Sequence, residues 1–129
     1  MITLISFGFG HPEPAPTADV TYDVSSRKFR NPFHDPALKD LTGLDQAVYD
    51  HVGQTPGIET LAQSAAVAAR LVDDTGEDIV LAMGCIGGRH RSVGLARRTA
   101  ELLEAASRNF EIKHRDVHKP LLPAGLHQR

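Results

Sequence analysis

The chain has 129 residues, enough for one domain with its own core and too few for two of ordinary size. Hydrophobic residues make up 41% and charged residues 23%, which excludes a disordered or fibrous chain and fits a soluble globular domain. A formal net charge of -2 excludes a polycation that attracts nucleic acid through its overall field, and a single cysteine excludes an intrachain disulfide and fits a reducing compartment.

The amino terminus, Met1 to Ser6, lacks a basic lead and is too short for a signal-peptide core. No apolar run approaches a membrane span, so a cytoplasmic location without membrane contact is expected. Ile2 to Phe7 reads as a first strand that opens into Gly8-Phe9-Gly10. There Gly8 serves either a tight turn or the approach of a ligand. Prolines at 12, 14 and 16 bar the next stretch from helix and inner strand, leaving a stiff connector. Ala18 to Val24 alternates, with Val20, Tyr22 and Val24 on one face of a second strand. Asp23, at its carboxyl end, either faces the crevice where α/β sheets hold ligands or caps the following loop. Ser25 to Pro36 is basic and broken by proline, an irregular loop.

Leu38, Leu41, Leu44 and Val48 have the spacing of a shallow helical face, with Asp45 as N-cap of a short helix through His51. A longer helix runs from Thr55 and Pro56, at N-cap and N1, to Asp73, with Gly76 as its stop. Ile79 to Met83 is a strand buried on both faces. A further helix, Ser92 to Ser107, turns Val93, Ala96, Ala100 and Leu103 inward and carries Arg97, Arg98, Glu101 and Glu104 on a solvated face. Asn109 to Val117 alternates as a final, edge-like strand, and residues 120–129 read as a loosely ordered tail after a domain of residues 1–119. Strands interleaved with helices imply an α/β fold: three layers, a mostly parallel sheet of four to five strands, helices on both faces.

At the junction of strand and helix stands Gly84-Cys85-Ile86-Gly87-Gly88-Arg89-His90-Arg91-Ser92. The first N–H groups of a helix lack intrahelical partners and sit at the positive end of its dipole, so this junction suits an anion. The glycines let the backbone curl, and Arg89 and Arg91 add guanidinium groups, so the stretch reads as a phosphate cradle. It is not a Walker A loop, because the second glycine of that motif falls on Arg89. Cys85, Arg91 and Ser92 also satisfy Cys-x5-Arg-Ser, which resembles the signature of protein tyrosine phosphatases, with Cys85 as nucleophile and Arg91 on the phosphate oxygens. Asp23, Asp35, Asp40 and Asp45 are then the candidate general acids. The plain alternative for Cys85 is a small residue at a tight strand end. His11, His51, His90 and His127 have no metal-ligand spacing, and neither a metal nor another cofactor is expected.

Several blocks keep a common order over residues 2–117: Ser6-Phe7-Gly8-Phe9, Asp23 with Asn31-Pro32 and His34, Leu41-Thr42-Gly43-Leu44-Asp45, Gly84 to Val93, and His114-Arg115-Asp116. In these the chain resembles the carboxyl-terminal domain of the RapZ (RNase adapter) family. The resemblance implies a module for a phosphorylated amino sugar, glucosamine 6-phosphate, and for small RNAs. Carried over by position, the phosphate meets Ile86, Gly87 and Arg91, and Asp23 is the acidic partner of the sugar. Members usually carry an amino-terminal P-loop ATPase domain as well; none precedes Met1 here, so control by nucleotide does not carry over with the resemblance.

The expected function is therefore a module that binds a small phosphorylated metabolite without turning it over, with a cysteine-dependent phosphatase as the alternative. The candidate ligand residues are Gly8, Asp23, His34, Cys85, Ile86, Gly87, Gly88, Arg89, His90, Arg91 and Ser92. Structured RNA is a second candidate partner, met by Arg27, Lys28 and Arg30 and by Lys113, Arg115 and Lys119. A protein partner or a second copy of the chain stays open.

Overall fold

The computed structural model describes residues 1–127. Four strands, β1 (Ile2–Gly8), β2 (Val20–Asp23), β3 (Ile79–Cys85) and β4 (Phe110–His114), form one sheet in the order β2-β3-β1-β4, with every pairing parallel. Three helices, α1 (Gln46–Gly53), α2 (Ile58–Asp73) and α3 (Arg91–Ala105), complete an α/β fold with the parallel sheet that the interleaved pattern implies. The two inner strands pair from Ile2 with Ile79 to Gly8 with Cys85, which brings the turn after β1 and the loop after β3 to the same end of the sheet.

Parallel pairing requires each connection to return along the sheet. α1 and α2 make that return between β2 and β3, and α3 makes it between β3 and β4. Ala62, Ala65 and Ala69 of α2 and Leu95, Ala96 and Leu103 of α3 share one apolar core with Ile2, Leu4, Leu81 and Met83, so the helices gather over the face these strand residues present. The return from β1 to β2 is made by residues 9–19, whose prolines deny it a helix. It crosses the other face. Phe7 alternates to that side, where Phe9 meets it edge-on with ring centroids 4.7 Å apart. Farther along, Asp19 N–H donates to the Val80 carbonyl at 2.9 Å and the Asp19 carboxylate accepts from Val80 N–H at 2.8 Å. The layers are helices, sheet and extended connector.

Three local expectations change. α2 starts at Ile58 rather than beside Pro56, because Gly57 at φ +95 redirects the chain and Thr55 closes a turn onto the Ile58 amide. Residues 36–45 form turns instead of extending the helical face of Val48, and Leu41 and Leu44 are exposed. Asp45 precedes α1 as expected, but its carboxylate accepts from Thr42 N–H at 2.8 Å and leaves the helix amides alone. Residues 120–127 fold back over the carboxyl end of the sheet and close in a short 3-10 turn, Ala124–His127; Gln128 and Arg129 of the expected tail lie outside the described residues. No described helix is long and apolar enough to cross a membrane.

Candidate functional site

The loop between β3 and α3 leaves the centre of the sheet, and its inner side is fixed by backbone. Phe9 and Gly10 donate N–H groups to the carbonyls of Cys85 and Ile86 at 2.8 and 2.9 Å. Gly88 has φ +71, and a Cβ on it would stand 2.6 Å from the Gly8 nitrogen, so two backbones approach here as only glycine permits. The Gly8 amide donates to Asp116 Oδ2 at 2.7 Å. Burial alone would raise the Asp116 carboxyl, but hydrogen bonds from Arg115, Lys119 and Gly8 outweigh it and hold the pKa below the ordinary carboxylate value. Gly8 thus braces the loop, with its donor engaged.

The three basic residues of the loop hold irregular segments by their carbonyls, and Arg89 and His90 share the one at residues 39–41. Arg89 Nη1 donates to Val117 and Lys119 at 3.3 and 2.7 Å, and its Nη2 to Asp40 at 3.1 Å. His90 Nε2 lies 3.0 Å from the Lys39 carbonyl and 2.7 Å from that of Leu41, so Nε2 carries the proton. Burial, joined by the charges of Arg89 and Arg91, pushes the His90 pKa down to about 4. Arg91, only 2% exposed, donates from Nη1 to Ser25, Ser26 and Phe29 at 3.0 to 3.3 Å. Arg91, expected on the phosphate, is among the largest fully buried side chains. Cys85 is also buried, within the apolar core: its thiol donates to Ser92 Oγ at 3.1 Å, and Sγ accepts from Gly88 N–H at 3.3 Å.

The outer side is different. The N–H groups of Ile86, Gly87 and Arg89 meet no acceptor among the described residues, and the loop runs directly into the first turn of α3. A Cβ on Gly87 would meet only His127 Cε1, at 3.5 Å. His127 stacks on Phe33, centroids 3.8 Å apart and planes 5° from parallel. Asn31 Nδ2 reaches its Nδ1 at 3.3 Å, and His34 Nε2 donates to its carbonyl at 3.0 Å. The expected His34 therefore reaches this wall, through backbone. Burial, then the charges of Arg91, His90, His34 and Lys39, lowers the His127 pKa to about 4. Of the groups that act on His127, Arg91 and Lys39 are cations, so this wall stands in a positive surround.

The remaining candidates fall around it. Asp23 is exposed at the carboxyl end of β2 and accepts from Ser25 N–H at 2.8 Å, a local cap beside the site. Arg27, Lys28 and Arg30 are exposed after β2, at one edge of the sheet; Lys113, Arg115 and Lys119 belong to β4 and its continuation, at the other. Arg115 is bound to Asp116 at 3.0 Å and Lys119 to Asp116 at 2.6 Å and to Glu13, which leaves Lys113 as the exposed cation of that group. A pocket of about 480 Å³ lies beside Arg27, Arg30, His34 and His51. Another of about 400 Å³, between Tyr49, Glu59, Gly94 and Arg98, includes no residue of the 84–92 loop and is already laced by the Arg98–Glu59 ion pair at 2.8 Å. The sequence did not mark Asn31, Phe33 or His127 as one wall; the Asn-Pro pair was visible, but its docking partner lay in the tail.

The chain matches the RapZ C-terminal domain over residues 1–118. A nucleotide-binding protein of Lactiplantibacillus plantarum is 38% identical over 123 residues, covering 92% of this chain and 40% of that protein. Similar proteins of the same description occur in Heliobacterium modesticaldum, 36% identical with 92% of this chain and 40% of that one covered, and in Pseudomonas fluorescens, 35% identical with 87% and 40% covered. The chain thus spans about 40% of the length of these relatives.

Proposed function

We propose, from the premise that this chain belongs to the RapZ C-terminal domain family, that it is a regulatory binding module whose ligand is a small phosphate monoester held on the outer side of the 85–92 loop. One observation carries the reading: the amides of Ile86, Gly87 and Arg89 have no acceptor among the described residues, beside the start of α3 and close to the cations Arg91 and Lys39. Glucosamine 6-phosphate is the ligand the family resemblance favours, with Asp23, exposed at the adjacent strand end, available to its ammonium group.

The test is calorimetry of the purified chain with glucosamine 6-phosphate, glucosamine, inorganic phosphate and ATP, the last because the relatives are described as nucleotide-binding. The expected result is binding of glucosamine 6-phosphate, weaker binding of phosphate and none of glucosamine. Gly87→Val, which directs a branched side chain toward His127, removes it. Binding of glucosamine alone, or of the phosphosugar equally well to Gly87→Val, overturns the assignment.

The Gly88 N–H bond to Cys85 Sγ favours a second reading, because an amide donor stabilises a thiolate nucleophile. Against it, the thiol is 3% exposed and sits in the apolar core. Turnover of an aryl phosphate that disappears in Cys85→Ser would establish the phosphatase; no turnover is expected.

A further inference from the structure

His127 belongs to no element of the loop, yet its ring is 3% exposed and lies over Gly87. Its tautomer follows from its neighbours. Asn31 Oδ1 accepts from Phe33 N–H at 3.1 Å, which orients the amide and makes Nδ2 the group that faces the imidazole. Nδ2 is a donor, so His127 Nδ1 is the acceptor, and in the neutral ring the proton resides on Nε2. That Nε2 is buried and has no hydrogen-bond partner among the described residues. Its bonded neighbour Cε1 is the atom 3.5 Å from the Cβ position of Gly87. A buried N–H without an acceptor is costly and uncommon in a native fold. The ring edge that carries it meets the loop through Cε1 at Gly87, next to the amides of Ile86, Gly87 and Arg89 that have no acceptor among the described residues.

We propose that His127 is a direct ligand of the bound anion: the carboxyl-terminal 3-10 turn presents a neutral Nε2–H to an oxygen of a phosphate group seated against Gly87. The inference rests on the phosphate reading of the loop and adds to it a donor from the end of the chain. The stack on Phe33 and the bond from Asn31 hold the ring in place, and the bond from His34 to the His127 carbonyl ties down the turn. Recognition needs no proton uptake by His127. A second proton would have to enter at Nδ1 and displace the Asn31 donor, beside the cations Arg91 and Lys39.

The experiment is titration of the full chain with glucosamine 6-phosphate and with inorganic phosphate, comparing wild type, His127→Phe, His127→Ala and His127→Gln. Circular dichroism verifies folding of each. His127→Phe keeps the aromatic stack and removes the donor, so it separates packing from ligation. Loss of at least about tenfold in affinity for both probes is expected in His127→Phe and His127→Ala, which corresponds to about 1.4 kcal/mol. His127→Gln, whose amide restores an N–H near the same place, should recover part of it. In wild type the Nε2–H proton resonance should move downfield on binding, as a new acceptor arrives. Wild-type affinity in His127→Phe overturns the inference and leaves the loop site standing; failure of wild type to bind either probe removes the loop site and the inference together.

Discussion

On its inner side the 85–92 loop meets protein at each step: Gly8 against Gly88, carbonyls of Cys85 and Ile86 with Phe9 and Gly10, and three basic side chains that end on backbone carbonyls. On its outer side it meets the His127 imidazole, and the amides of Ile86, Gly87 and Arg89 have no acceptor among the described residues. The same residue types, glycine and cation, therefore do opposite work across a few ångströms. Inside, they remove steric bulk and satisfy loops; outside, they leave room and charge for something that is not protein. A glycine-rich basic loop is not by itself a ligand list: its scaffold half and its binding half have to be separated by burial and hydrogen-bond partner.

That separation makes mutations on the two sides diverge. The largest effect is expected for Arg91→Leu, which buries three carbonyls without their donor and should cost about 3 kcal/mol or more in urea unfolding. A stable, folded Arg91→Leu would mean that the inner side is not held as described. Next, Gly88→Ala combines a left-handed φ with a Cβ driven into the Gly8 backbone and should lose about 2 kcal/mol or more, whereas Gly87→Ala, with ordinary van der Waals distances, should stay within about 0.5 kcal/mol of wild type. Equal losses at 87 and 88 would erase the distinction between the sides.

Acid should act on both sides in the same direction. His90 and His127 are held neutral in the fold, with pKa values of about 4, while an unfolded histidine titrates near 6.5. Between those values the unfolded chain binds more protons than the folded one, so stability falls as pH drops from about 6.5 toward 4, by up to about 1.4 kcal/mol per pH unit for His90 alone. His90→Gln should flatten that slope in melts collected across the window. A stability that rises on acidification would contradict the neutral assignment.

The smallest effect concerns RNA. If a structured RNA is a partner, neutralising Arg27, Lys28 and Arg30, exposed at the β2 edge, should flatten the dependence of log affinity on log salt by up to about 0.7 to 0.9 for each RNA phosphate that no longer meets a cation, and no binding at low salt removes RNA as a partner. The flattening should exceed that from neutralising Lys113, Arg115 and Lys119, two of which are already paired with carboxylates. Anisotropy titration with a structured RNA at several salt concentrations checks it.

Much of this arrangement was legible in the residues. The apolar run ending at Met83, the helical spacing after Ser92 and the glycines between them locate the loop, because burial on both faces of a strand and one face of a helix leaves a plain hydrophobic pattern. The destinations of Arg89, His90 and Arg91 were not legible. Their acceptors are main-chain carbonyls of coil, which every residue carries and no side chain announces. The helical spacing of Leu38, Leu41 and Leu44 misled for a related reason: Arg89 and His90 bind the carbonyls of residues 39–41, in a segment that forms turns. His127 was hidden by distance along the chain, since its place depends on a stack with Phe33 that no local pattern encodes.

The most direct measurement is an amide NMR titration of the uniformly 15N-labelled chain with glucosamine 6-phosphate. The account predicts that the largest shifts fall on the amides of Gly87 and Arg89, with Ile86 close behind, while Gly8 and Gly88, already bonded to Asp116 and Cys85, move little. Shifts centred instead on the pocket beside Tyr49 and Arg98, or on Arg27 and Arg30 with the loop amides silent, would contradict it.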